Sequence, residues 1–200
     1  TTQWSRPAVL DGGQEFVIAN NHRLLYRVGI KDKEGKQLAE LSSRGMEGDV
    51  VGSWATVGSA CYGVLRSGAG DVVAAYALPE ATPAQQWPLT GRLLWGPQRV
   101  GDVVLLATEK ELVCLDGALQ QRWKTPLDHG PVIGPALRVD AHVLLAAEDG
   151  FVWRIDTASG NIVATVEIGE PVASGPVVYG DRLLVAGQSG VLFNVGTPRP

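Results

Sequence analysis

The chain has 200 residues, with 17 Lys and Arg against 21 Asp and Glu and a formal net charge of −4. A 45% hydrophobic content excludes a disordered tail, and mild acidity without a Lys/Arg cluster lacks the electrostatic footprint of a nucleic-acid binder. No apolar run approaches the ~20 residues that span a bilayer, so no membrane insertion is expected. Thr1-Thr2-Gln3-Trp4 offers neither a basic region nor an apolar signal core and lacks a Met, which reads as a processed product or an excised segment. Two cysteines, Cys61 and Cys114, make no disulfide framework and leave the redox compartment open. The excesses are glycine, at 25 residues, and tryptophan, at six against four Tyr and three Phe.

In chain order, the first apolar run is 16–19, closed by an Asn20-Asn21 corner that suits a hairpin because Asn tolerates the left-handed region. The charged segment 31–48 holds the nearest helix candidate, 36–41, but Gly35, Gly45 and Gly48 cut it too short to be stable. A loose Ser67-Gly68-Ala69-Gly70 corner follows, then a run at 103–107 turned by Glu109-Lys110. Glu148-Asp149-Gly150 separates 143–147 from 151–155, and Gln188-Ser189-Gly190 separates 183–187 from 191–195. Short runs rich in Val, Leu and Ala between such corners are strand, tight turn, strand. The chain is all-β.

These hairpins recur with a period of about forty residues. A Gly-Pro step precedes three of them, in Trp95-Gly96-Pro97, Ile133-Gly134-Pro135 and Ser174-Gly175-Pro176, with prolines 38 and 41 residues apart. Fainter copies begin near Pro7 and Ala55. A fourth strand follows the hairpin at 160–168, and less clearly around Trp123 and Gln86-Trp87. Four antiparallel strands per ~40 residues make a propeller blade, which buries its faces by packing on the blades beside it. The expected repeats are 5–48, 49–90, 91–128, 129–169 and 170–200, giving about five four-stranded blades. They form a closed small propeller, or an arc of a larger seven- or eight-bladed ring.

Asp149-Gly150 followed by Trp153-Arg154-Ile155-Asp156-Thr157-Ala158-Ser159-Gly160 resembles the PQQ-like, quinoprotein-type propeller repeat. Cys114-Leu115-Asp116 with Trp123 is similar, and Trp87 takes a like place one unit earlier. The resemblance covers 90–196 clearly and 5–89 weakly; Ala164 stands near where the fourth unit should carry Trp. It implies that Trp87, Trp123 and Trp153 pack between blades, and that Asp149, Gly150, Asp156 and Gly160 shape turns. Enzymes of this family hold their quinone over a Trp floor beside an adjacent Cys pair, with calcium bound by Glu, Asn and Asp. Cys61 and Cys114 stand 53 positions apart. The expected match is therefore the non-catalytic branch, typified by the outer-membrane assembly lipoprotein propeller, which would imply a periplasmic or exported location.

Residue chemistry supports the same reading. His22, His129 and His142 fall at separate corners or strand starts, and no H-E-x-x-H, C-x-x-C or G-x-S-x-G pattern occurs. Neither catalytic residues nor a metal or cofactor is expected. Trp54 and Trp95 sit just before inner strands, with Arg99 and Arg138 within them, and Trp and Arg are the side chains of interface hot spots. The expected function is a scaffold or interaction module for another protein. The alternatives are a fragment of a quinoprotein-type oxidoreductase and a sensory domain of a larger signalling protein.

Overall fold

The computed structural model describes residues 1–31 and 37–198. Among the described residues 19 strands form five antiparallel sheets, each built from strands consecutive in the chain. The first sheet contains β1 (Ala8–Val9), β2 (Glu15–Asn20), β3 (Leu24–Ile30) and β4 (Leu38–Gly45). The second contains β5 (Asp49–Val57), β6 (Ala60–Ser67), β7 (Gly70–Ala77) and β8 (Thr82–Pro88). The third contains β9 (Trp95–Val100), β10 (Val103–Ala107), β11 (Glu111–Asp116) and β12 (Gln121–Pro126). The fourth contains β13 (Val132–Val139), β14 (His142–Ala147), β15 (Phe151–Asp156) and β16 (Ile162–Glu167). The fifth has three strands, β17 (Val177–Tyr179), β18 (Arg182–Ala186) and β19 (Leu192–Gly196).

The uninterrupted apolar runs are the second strands of their sheets, covered on both faces. Along β10 the side chains alternate between two interfaces, as the two-residue period of a strand requires. Val103, Leu105 and Ala107 pack with Val132, Val143 and Leu145 of the fourth sheet. Val104 and Leu106 pack with Ala55, Tyr62 and Val64 of the second. The first and second sheets meet through Val17, Ala19 and Leu25 against Cys61, Leu65 and Ala74. The fourth and fifth meet through Ala146 and Val152 against Val185 and Phe193. The core is thus a row of sheet-to-sheet interfaces, and each fully buried Leu in it contributes roughly 1.5–3 kcal/mol.

The first strands of the sheets lie side by side, β1 against β5, β5 against β9 and β9 against β13. Glycine makes this approach possible. A Cβ on Gly52 would sit 2.7 Å from the carbonyl oxygen of Gly96, and one on Gly134 would sit 2.0 Å from the amide nitrogen of Gly175. Both are closer than atoms can come, so these recurrent glycines of the inner strands are where successive sheets touch.

One local expectation changes. In the first hairpin the left-handed residue is Arg23 (φ 61°), while Asn20 instead accepts hydrogen bonds through Oδ1 from the amides of His22 (3.0 Å) and Leu24 (3.2 Å). Leu38–Gly45 is the outer strand of the first sheet, in line with the rejection of a helix at 36–41, while Lys36 of that candidate and Gly35 before it lie outside the described residues.

Candidate functional site

A cavity of about 660 Å³ opens along the inner strands, between β1, β5, β9 and the start of β13. It brings together Trp54, Trp95 and Arg99, three of the four residues chosen from sequence as an interaction surface. Their exposures differ. Trp54 is 3% exposed and belongs to the core between the first and second sheets, its indole over Gly63 and 5.8 Å from the Tyr76 ring. The cause is a bulge in β5 between Val51 and Ala55, which releases Gly52, Ser53 and Trp54 from regular alternation. Trp54 therefore offers the cavity little more than an edge, and its Nε1 is buried with no hydrogen-bond partner.

Trp95 is half-buried, and its indole N–H donates to the Gly134 carbonyl at 2.6 Å. With that polar handle engaged across to the fourth sheet, what remains for a ligand is apolar ring surface. Arg99 is exposed at the end of β9; its Nε donates to the Gly101 carbonyl at 2.9 Å and its guanidinium pairs with Asp11 of the first sheet. The hydrogen bond from Arg99 holds the Asp11 carboxyl below the usual carboxylate range. Arg138 lies one sheet further on and outside the cavity, paired with Asp102 at 2.8 Å and folded over Gly101. Arg6, which sequence reasoning did not single out, is exposed and lines the same cavity. A signal for it existed: it stands before Pro7 where the later Gly-Pro steps carry glycine.

The repeat residues occupy turns and sheet-to-sheet contacts. Trp123 reaches from the third sheet to the fourth, its indole N–H donating to the Thr157 carbonyl at 3.1 Å and its ring covering Gly160. Gly160 has φ of +77°, and a Cβ there would lie 2.5 Å from the Trp123 ring, so both backbone and space demand glycine. Asp156 accepts from the amides of Ala158 (3.1 Å) and Ser159 (2.7 Å) and from the Ser159 hydroxyl (2.8 Å). The Ser159 bonds hold the Asp156 carboxyl low. Asp116 binds Ala118 and Gln120 in the same manner one sheet earlier. Trp153 is buried in the core, while Trp87 is half-buried and tilted against Tyr62. Gly150 closes its hairpin against the Glu170 carbonyl, and Asp149 is exposed, 3.0 Å from Nδ1 of His129.

His22, His129 and His142 contact Thr2, Asp149 and Arg154 respectively, in separate places. Among the described residues no three His, Cys, Asp or Glu side chains converge as a metal site. Cys61 and Cys114 are buried in different sheets, and burial pushes the Cys61 thiol up and the Cys114 thiol up to about 12. Protonated, enclosed thiols are poor nucleophiles. Nor do these residues fit the quinone site of the enzymes, which needs an adjacent cysteine pair and a calcium donor set.

The chain is similar in structure to BamB from Moraxella catarrhalis, with a TM-score of 0.69 and 18% identity over 99% of this chain and 62% of that one. The fold is a β-propeller. A computationally designed protein, Ika8, matches with a TM-score of 0.69 and 13% identity over 96% of this chain and 57% of its own. KlHsv2 with loop 6CD replaced by a Gly-Ser linker matches at 0.63 and 9% identity, over 99% and 65%. The propeller described here spans less than two thirds of each of these chains. No protein-family model and no curated protein matches the sequence.

Proposed function

We propose that the chain is a non-catalytic propeller scaffold that binds another protein through the cavity at its inner strands. The observation that carries this reading is that Trp95 and Arg99 line one cavity together, both on strand β9, which lies between the inner strands of the sheets on either side. A rigid aromatic face beside a guanidinium is the composition of an interface hot spot, and neither side chain has to be ordered afresh on binding. Arg138, held by Asp102 just outside, extends the same surface by one sheet.

Capture of partner proteins from an extract by the immobilised chain provides the test. Arg99→Ala, which removes a solvent-exposed ion pair, should lower capture about tenfold or more with an unchanged melting temperature. Adding Trp95→Ala should deepen the loss, at a stability cost of about 1–3 kcal/mol for the lost Gly134 bond and packing. Equal capture by native and double-variant protein would overturn the reading.

A further inference from the structure

Arg6 breaks the pattern of the inner strands in a position where the pattern is tight. Gly96, Gly134 and Gly175 each precede a proline at the inner strands of the last three sheets, and Arg6 stands in their place before Pro7 in the first. Ser5 and Ser174 confirm the correspondence, since the hydroxyl oxygen of each accepts an amide from the neighbouring strand, that of Ala19 at 3.0 Å and that of Ala186 at 3.1 Å. A Cβ on Gly175 would meet the Pro135 carbonyl at 2.4 Å. The first sheet instead carries the longest cationic side chain there, and it is exposed at the cavity.

The charge at this cavity is one-sided. Arg6 and Arg99 are the ionised side chains that line it, in a chain of net charge −4. Asp11 neutralises Arg99, whereas among the described residues no carboxylate lies within ion-pair distance of Arg6. Beside Arg6, Val9, Pro97 and the Trp95 ring give the cavity apolar lining, with Ser53, Thr56 and Gln98 adding polar groups. A second cavity of about 360 Å³, between the third and fourth sheets, is lined instead by Glu109, Asp128 and Asp149, with His129 against Asp149. The two cavities therefore differ in the charge that their linings present.

Resting on the scaffold reading above, we infer that the inner-strand cavity takes an acidic segment of a partner protein, one carboxylate pairing with Arg6 while flanking apolar side chains lie on Trp95. A volume of about 660 Å³ exceeds what a lone inorganic anion fills and lies within the range of ligand pockets that enclose several groups at once.

The test uses a capped, fluorescein-labelled heptapeptide, Gly-Leu-Glu-Val-Glu-Leu-Gly, and its counterpart with Lys for Glu, titrated by fluorescence anisotropy. Saturable binding of the Glu peptide and none of the Lys peptide is expected, weakened about tenfold or more by Arg6→Ala and largely restored by Arg6→Lys. Arg6 makes no packing contact in the core, so both variants should melt with the native protein. Equal binding of the two peptides, or indifference to Arg6→Ala, would overturn the inference. So would peptide-displaced self-association in sedimentation, which would place a second copy in the cavity. Should Arg6→Ala leave peptide binding intact while Arg99→Ala still lowers capture, only the acidic-segment inference fails. If neither variant has an effect, the scaffold reading fails too.

Discussion

Asp71 holds its charge where water scarcely reaches, with its side chain 1% exposed. Arg66 donates to both of its oxygens, at 2.6 and 2.7 Å, and Oδ2 also accepts the Leu93 amide at 2.8 Å. This carboxylate thus pins the segment leading to Trp95 onto the second sheet. The Arg66 bonds, reinforced by the Leu93 amide and opposed by desolvation, depress its pKa. A carboxylate with a depressed folded pKa adds stability above its unfolded value, about 3.9, and loses that contribution as pH falls through the folded value. Asp71→Asn should therefore cost about 1–3 kcal/mol at pH 7, read by urea unfolding, and the difference from native should shrink as pH drops below about 4. A pH-independent difference would mean that shape and not charge is what Asp71 supplies. Nothing in the sequence marks this residue, because its partners Arg66 and Leu93 come together only through a hairpin and a loop.

Strand β10 serves two interfaces at once, so neighbouring residues on it should fail in different directions. Leu105→Ala opens a cavity toward the fourth sheet and Leu106→Ala toward the second, each costing about 2–5 kcal/mol. Hydrogen exchange should then quicken in β14 for the first variant and in β6 for the second, and identical exchange maps would refute the alternation. Runs such as 103–107 and 143–147 were legible as strands because both faces are buried and nearly every residue is apolar. Strand β4 was not, since Leu38–Gly45 is an outer strand without a buried residue and its polar side chains carry no period. Half of the candidate site was legible for a similar reason: Trp95 and Arg99 flank a Gly-Pro step that repeats. Trp54 resisted, because a bulge shifts alternation by residues that no pattern count can see. Arg6 was hidden because the first copy of the repeat is faint, with arginine standing before Pro7 where the later copies carry glycine.

Across the whole molecule, the middle three sheets are covered on both faces and the outer two are not. On the fifth, Val177, Tyr179 and Leu192 are 55%, 66% and 61% exposed; on the first, Val9 and Leu38 are 58% and 61% exposed. These side chains occupy the kind of sheet face that buries Leu105 and Leu145 in the middle of the structure. The same repeat chemistry therefore yields core at one place and open apolar surface at another, decided by whether a sheet lies against it. Open faces of this kind favour association, since burying them removes apolar area from water without any change in fold. Tyr179→Ser with Leu192→Ser should accordingly reduce the concentration dependence of the sedimentation coefficient while leaving the melting temperature nearly unchanged, because exposed positions usually cost within about 0.5 kcal/mol. A loss of several degrees would show that the face is already packed in solution, and an unaltered sedimentation profile would show that it plays no part in association.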